Sequence, residues 1–151
     1  MSIEGREAVI LLAEDDPGDQ ELTRRALEDG KIANELHIVQ DGEETLNFLL
    51  RRGRYADPAA SPRPDLILLD LNMPKLDGRQ VLAEIGKHPR LRRLAIVVLT
   101  TSQQDEDVLR SYDLGVKSYI TKPVDMDQFV RVIQTLERYW FQVVVLPPDT
   151  E

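Results

Sequence analysis

Short runs of Val, Ile and Leu alternate along the chain with longer segments in which apolar residues recur at helical spacing. This alternation predicts an α/β fold, with a parallel sheet and helices on both of its faces. The first, third and fourth runs are almost free of polar residues, which is typical of strands that are covered on both sides. The five predicted strands cover residues 9–13, 36–39, 66–69, 95–99 and 118–121.

Helix-end signals separate the predicted strands. Asp16 and Pro17 predict the start of a first helix, and Gly30 predicts its end. Ser102 followed by Asp105 resembles a capping box that opens a fourth helix. The other predicted helices cover residues 43–52 and 78–87, and a fifth begins at residue 125. The predicted buried stripe of the first helix is Leu22, Ala26 and Leu27.

One segment follows neither pattern. Residues 53–64 contain three prolines and are long for a connection between a helix and a strand. Two interpretations stay open for this segment: a surface insertion that the fold tolerates, and a surface that contacts a partner.

Composition narrows the classes of function. The 151 residues include 27 acidic and 19 basic side chains, which gives a formal net charge of −8. Such a surface repels nucleic acid and anionic lipid, so we expect neither as a partner. Cysteine is absent, which excludes disulfides and thiolate chemistry. The apolar runs are far shorter than the roughly 20 residues of a membrane span, and the first residues lack a secretion signal. We therefore expect a cytoplasmic protein.

Polar residues of defined chemistry follow four of the predicted strands. Glu14 and Asp15 follow the first strand, and Asp70 follows the third. Thr100 follows the fourth and Lys122 the fifth. Because the carboxyl ends of parallel strands meet at one edge of a sheet, we expect these side chains to converge. Crowded carboxylates require a proton or a cation, and a site with only oxygen ligands suits Mg²⁺, with Asp15 and Asp70 as the predicted direct ligands.

A carboxylate beside Mg²⁺, an ammonium group and a hydroxyl is a candidate phosphoryl acceptor. We predict an aspartyl phosphate at Asp70, with Thr100 hydrogen-bonded to one phosphoryl oxygen and Lys122 paired with another. Taken singly, each residue has a simpler interpretation as a helix cap, a turn residue, a strand-end hydroxyl or a surface lysine. Their combination at one edge favours the phosphoryl site.

Four segments closely resemble the receiver domain of two-component response regulators. They are residues 9–16, residues 66–74 with Asp77 and Gly78, residues 96–100 and residues 119–123. The spacings also match that family, because Thr100 follows Asp70 by 30 positions and Lys122 follows Thr100 by 22. The 55 positions from Asp15 to Asp70 exceed the family's usual separation, and the segment 53–64 absorbs the excess. The resemblance spans nearly the whole chain.

This resemblance implies a flavodoxin-like receiver fold with strand order 2-1-3-4-5, acting in a phosphorelay. It implies that Asp70 is the phosphoacceptor and that Thr100 and Tyr119 form a switch pair. It also implies that Lys122 pairs with the phosphoryl group and precedes a cis bond to Pro123. Mg²⁺ is the implied cofactor, with Mn²⁺ as a substitute. The implied metal ligands are Asp15, Asp70, the backbone carbonyl of Asn72, and Glu14 directly or through a water.

Within this family the chain looks most like the single-domain regulators paired with phytochrome-type sensor histidine kinases. The similarity lies in residues 61–65, 77–85 and 99–102 and in the aromatic tail. The resemblance implies a sensor histidine kinase as partner and protein contacts as output. It implies no enzyme activity beyond slow self-catalysed phosphotransfer and dephosphorylation.

The carboxyl-terminal helix carries more apolar surface than packing on one domain requires. We predict a receiver domain over residues 1–146 with an extended fifth helix, a short tail over 147–151 and no output domain. We also predict a homodimer through this helix and the tail; a tail folded back onto its own domain is the alternative. The predicted interface consists of Val132, Leu136, Tyr139, Trp140 and Val143.

Three rival functions start from the same residues. A phosphatase that uses an aspartyl phosphate needs a second acid two positions after its nucleophile, where this chain has Asn72. A flavodoxin-like cofactor carrier needs an uncharged phosphate loop where three acidic residues follow the first strand. An unphosphorylated scaffold stays open as the alternative, although each residue that phosphorylation needs is present.

Overall fold

The sheet has the predicted architecture. A computed structural model describes residues 7–29, 33–92, 94–112, 115–124 and 127–132. Five parallel strands form one sheet in the order β2-β1-β3-β4-β5, which confirms the fold class and the strand order. The strands are β1 (Ala8–Ala13), β2 (Asn34–Val39), β3 (Leu66–Asp70), β4 (Ala95–Thr100) and β5 (Val116–Thr121).

The helices between the strands begin at capping side chains. Asp16 accepts a hydrogen bond from the N–H of Asp19 at 2.9 Å, and Ser102 Oγ accepts one from the N–H of Asp105 at 3.1 Å, so both side chains cap their helices. The N–H of Ser102 donates to Thr100 Oγ1, so the predicted capping box with Asp105 is reduced to a simple cap. Asp77 opens the third helix with a full capping box. The helices are α1 (Pro17–Asp29), α2 (Gly42–Leu50), α3 (Gly78–Gly86) and α4 (Gln103–Tyr112), and residues 127–132, called α5, are also helical.

Two local predictions were wrong. The second helix, expected to reach residue 52, ends at Leu50 because Arg51 adopts a left-handed conformation with φ of 55°. On α1, Leu22 is 39% exposed, whereas Thr23 is completely buried. The core-facing side of α1 is therefore Thr23, Ala26 and Leu27, rotated by one residue from the predicted stripe.

Each face of the sheet carries its own core, because successive side chains of a strand point to opposite faces. One core joins the sheet to α1 and α5 and contains Ile10, Leu12, Leu68, Val97 and Phe129. The other joins the sheet to α2 and α3 and contains Leu11, Ile67, Leu69, Phe48 and Val81. The central strands are thus buried on both faces, which holds their carboxyl ends in fixed relative positions.

The α2–β3 connection (residues 51–65) is an ordered segment packed against α2. It contains a short 3₁₀ helix (Gly53–Tyr55), and the Tyr55 ring packs edge-on against Phe48 with 5.1 Å between ring centroids. The hydroxyl of Ser61 is buried and donates to the Tyr55 carbonyl at 2.8 Å. At its end, Asp65 Oδ2 accepts from the N–H of Val9 at 2.8 Å, which joins the connection to β1. The segment predicted as irregular is therefore closely fitted to the domain, and its role toward a partner stays open.

Among the residues that the structure describes, no helix has the length and apolar character needed to cross a bilayer.

Candidate functional site

The strand register brings the predicted polar residues to one edge of the sheet. Ala13 pairs with Leu69 and Asp70 pairs with Leu99, so Glu14 and Asp70 leave neighbouring strands at the same level. Thr100 is the last residue of β4 and accepts a backbone hydrogen bond from Lys122 at 2.9 Å. These carboxylates and the hydroxyl are buried, with 0% of Glu14, 3% of Asp70 and 2% of Thr100 exposed. The convergence predicted from the strand ends is present.

Lys122 lies among three carboxylates. Its Nζ is 2.6 Å from Glu14 Oε1, 3.0 Å from Asp19 Oδ2 and 3.3 Å from Asp70 Oδ2. The peptide bond from Lys122 to Pro123 is cis, as the family resemblance implies. We call Glu14, Asp15, Asp19, Asp70 and Lys122 the carboxyl-edge cluster.

Three members of the cluster present oxygen atoms that fit a divalent cation. One carboxylate oxygen from each of Glu14, Asp15 and Asp70 lies within 4.8 Å of the other two. The N–H of Asn72 donates to Asp70 Oδ1 at 3.2 Å, which keeps the Asn72 backbone beside the group. Carboxylate and carbonyl oxygens are the ligands that Mg²⁺ and Mn²⁺ accept most readily. The residue set therefore fits a hard divalent metal.

Burial and mutual repulsion set the protonation of the cluster. Burial, together with the charge of Asp70, raises the pKa of Glu14 to about 7 even though Lys122 and the N–H of Asp16 act in the opposite direction. Burial lowers the pKa of Lys122, but its bonds to Glu14 and Asp19 outweigh this effect and raise that pKa above its usual value. The lysine is therefore charged at neutral pH, and the carboxylates around it share its ammonium as a counter-ion.

The two predicted switch residues lie on neighbouring strands. The Thr100 hydroxyl accepts from the N–H of Ser102 at 3.1 Å and donates to the Ser102 carbonyl at 3.3 Å, so it is turned toward its own loop. Tyr119 lies on β5 opposite Val98, is partly buried, and packs against the core on the α2 and α3 side. Both residues occupy the elements expected of them.

Two contributions to the site were missed from the sequence. Asp19 had no assigned role, although it lies in the first turn of α1, directly after the acidic residues that follow the first strand. Gly78 belongs to one of the segments that resemble the receiver family, but the sequence did not show why a glycine is needed there. The reason is steric: a Cβ at this position would lie 2.9 Å from the Asp70 carbonyl oxygen and 2.8 Å from Leu71 Cα. Only glycine allows α3 to begin so close to the end of β3.

The predicted dimer interface is corrected at one position. Val132 belongs to the core of its own domain, with 9% of its surface exposed, because α5 packs this side chain toward the sheet. It therefore does not face a second subunit as expected. The other predicted interface residues, Leu136, Tyr139, Trp140 and Val143, lie outside the described residues.

Comparisons with known proteins agree with the site. Residues 10–134 match the family model of the response regulator receiver domain. The chain is 46% identical over 139 residues to the response regulator Rcp1 of Synechocystis sp., covering 92% of each protein. A Mn²⁺-bound structure of Rcp1 superposes with a TM-score of 0.71, covering 93% of this chain and 99% of that one.

Two further solved structures are similar over nearly their whole length. The bacteriophytochrome response regulator RtBRR has a TM-score of 0.81 at 38% identity, covering 92% of this chain and 94% of that chain. The phosphorylated cyanobacterial phytochrome response regulator RcpA has a TM-score of 0.73 at 42% identity, covering 93% and 99%. The chain belongs to the response regulator receiver domain family.

Proposed function

We propose that this protein is a phosphorelay regulator that accepts a phosphoryl group on Asp70 from the phosphohistidine of a sensor histidine kinase. The observation that carries the proposal is the Lys122 ammonium, 3.3 Å from Asp70, in a cluster where three carboxylate oxygens lie within 4.8 Å of one another. A buried carboxylate with a cation on one side and a metal-binding group on the other is suited to receive phosphate. A structural ion pair alone would not need the two further acids.

A carboxylate oxygen of Asp70 attacks phosphorus in line with the bond to the kinase histidine, so that an O–P bond forms while the P–N bond breaks. When bound, Mg²⁺ would neutralise charge on the phosphoryl oxygens, held by Asp15, Asp70 and the Asn72 carbonyl. Glu14 Oε1 forms an ion pair with Lys122, and Glu14 Oε2 accepts from the N–H of Asp16 at 3.2 Å, which favours contact with the metal through a water. Mn²⁺ fits the same ligands.

Lys122 and Thr100 would stabilise the charge that remains on the phosphoryl group. The ammonium needs only a small displacement from Asp70 Oδ2 to meet a phosphoryl oxygen. The Thr100 hydroxyl donates to Ser102 through a long bond of 3.3 Å, and it would exchange this acceptor for a phosphoryl oxygen. Movement of Thr100 would give Tyr119 space on the next strand, and the surface of β4, α4 and β5 would change as the output.

The similarity to Rcp1, RcpA and RtBRR supports a phytochrome-type kinase as the partner. We propose that the chain signals through protein contacts in the cytoplasm, without nucleic acid or membrane binding. We also propose that it has no enzyme activity beyond slow phosphotransfer and dephosphorylation. The boundaries of 1–146 for the receiver domain and 147–151 for the tail stay predictions.

The homodimer is proposed through the end of the carboxyl-terminal helix and the tail, without Val132. Sedimentation velocity of the full chain and of a chain lacking residues 140–151 tests it. We expect a dimer that becomes a monomer on truncation. A monomer in both cases would contradict the proposal.

The test of phosphorylation uses Mg²⁺ and a small phosphodonor such as acetyl phosphate. We expect a base-labile increase in mass on Asp70 that is lost in Asp70→Asn and in the presence of a chelator. Asp29→Asn, which removes an exposed carboxylate at the end of α1, serves as the matched control and should be labelled like the wild type. Absence of label in the wild type, under conditions that label other receivers, would favour the unphosphorylated scaffold.

A further inference from the structure

Among the described residues, three carboxylates surround the ammonium group of Lys122. An ammonium group has three N–H donors and no acceptor. Glu14, Asp19 and Asp70 each place a carboxylate oxygen within 3.3 Å of Nζ. The shortest of the three contacts is to Glu14 and the longest is to Asp70, the residue that would carry the phosphoryl group. All three contacts are ion pairs, and the contact to Asp19 is also a hydrogen bond, so the ammonium already has an acceptor on α1 before any phosphoryl oxygen arrives.

Asp19 differs from the other two acceptors in position and burial. It lies on α1, whereas Glu14 and Asp70 lie at strand ends, and its contact with Lys122 joins residues 103 positions apart. Its side chain is 28% exposed, compared with 0% for Glu14 and 5% for Asp70. The Asp16 cap on the Asp19 N–H fixes the helix turn that directs this carboxylate toward the ammonium. Asp19 is also outside the group of three carboxylates that fits a metal.

The geometry points to Asp19 as a positioning residue that competes with the phosphoryl group for Lys122. This inference rests on the proposed function of Asp70. In the resting domain Asp19 holds one N–H of the ammonium on the α1 side of the site. A phosphoryl oxygen must share or displace that bond before Lys122 can engage it fully. Asp19 thus sets how strongly the domain holds a phosphoryl group.

A purely structural role for Asp19 is the alternative. An acidic side chain in the first turn of a helix is favourable whether or not it meets a lysine. With such a role, replacing Asp19 would change the Kd for a phosphoryl mimic equally with and without Lys122. A competing acceptor changes this Kd only when the ammonium is present. The two roles are separated by testing Asp19 in both backgrounds.

The experiment measures equilibrium binding of beryllium trifluoride anion, a non-covalent phosphoryl mimic, with Mg²⁺ and the full chain. We expect Asp19→Asn to lower Kd by roughly threefold to tenfold, because one charge-assisted hydrogen bond is released to the probe. Asp19→Glu keeps a carboxylate and should restore a Kd within about twofold of the wild type. In the Lys122→Gln background, Asp19→Asn should leave Kd unchanged.

The control for loss of charge is Glu43→Gln, an exposed acid in the first turn of α2 at the same edge of the sheet. It should leave Kd unchanged. An unchanged Kd for Asp19→Asn, or an equal decrease in the Lys122→Gln background, would overturn the inference. If the wild type neither binds the probe nor becomes labelled on Asp70, the proposed function fails instead, so the two failures are distinguishable.

Discussion

The carboxyl-edge cluster and the α2–β3 connection both contain buried polar side chains, but they satisfy these groups differently. In the cluster, the buried carboxylates of Glu14 and Asp70 and the partly exposed carboxylate of Asp19 share one ammonium. In the α2–β3 connection, the buried polar side chain Ser61 bonds to backbone carbonyls of Tyr55 and Asp57. The charged pair of Arg54 and Glu44 lies near its surface.

This difference distinguishes a binding site from a segment with a purely structural role. Neutral groups that meet backbone partners locally stabilise a segment and require nothing else. Several acids around one cation leave a surplus of negative charge, which a metal or a phosphoryl group with its metal could rebalance. Without a metal, the cluster therefore destabilises the fold through unbalanced negative charge. The α2–β3 connection carries no such charge surplus and does not destabilise the fold.

Replacing the cation should have the largest effect. Lys122→Met, measured by urea unfolding at pH 8 with a chelator, should lower the free energy of unfolding by about 3–5 kcal/mol, because it leaves buried carboxylates without their counter-ion. Mg²⁺ should restore part of this loss. The matched change in the connection is Arg54→Met, which should be indistinguishable from wild type because its ion pair is exposed. Equal losses for the two variants would refute the contrast.

Replacing a glycine by alanine should also have different effects on stability in the two regions. Gly78→Ala places a Cβ 2.9 Å from the Asp70 carbonyl oxygen, and the backbone on both sides must move. We expect a loss of about 3 kcal/mol in unfolding free energy, together with weaker phosphorylation.

The matched glycine, Gly53, has φ of +58° and open space around its Cβ position. Gly53→Ala should therefore lose only about 1 kcal/mol, from the left-handed backbone alone, with normal phosphorylation. Phosphorylation of Gly78→Ala at the wild-type rate would show that the close approach does not position Asp70.

The pH dependence of the metal-free protein should report Glu14. Its pKa is about 7 in the folded chain and 4.5 ordinarily, so the folded state stays protonated up to a higher pH than the unfolded state. The stability it contributes at low pH should thus be lost as pH rises from about 4.5 to about 7. Relative to Glu14→Gln, which stays neutral, we expect a loss on the order of 2 kcal/mol across this interval. Parallel stability curves for the two proteins would contradict it.

The convergence at the strand ends was predictable because it depends on local patterns. Continuous apolar runs indicate buried strands, and the residue after each run must lie at the carboxyl edge of a parallel sheet. Asp70, Thr100 and Lys122 could be located in this way without any long-range information. The caps at Asp16 and Ser102 are equally local.

Features that depend on tertiary packing were not predictable. The bond from Asp19 to Lys122 joins α1 to the end of β5, and no spacing in the sequence encodes a contact across 103 positions. Val132 lies on the apolar side of the last helix, and the sequence pattern is the same whether that side faces the domain core or a second subunit. Only the structure shows that Val132 is buried in the domain core. The early end of α2 depends on the left-handed conformation of Arg51, a residue with no turn preference of its own.

The smallest effect is expected where the connection satisfies its own polar groups. Ser61 is 1% exposed, and its hydroxyl donates to the Tyr55 carbonyl at 2.8 Å. Ser61→Ala leaves that carbonyl without this donor and should lower the free energy of unfolding by about 1 kcal/mol in urea. Phosphorylation of Asp70 and affinity for Mg²⁺ should stay at wild-type values, since the hydroxyl of Ser61 bonds within the connection and not to the cluster. A variant with normal stability but slower phosphorylation would show instead that the α2–β3 connection acts on the site.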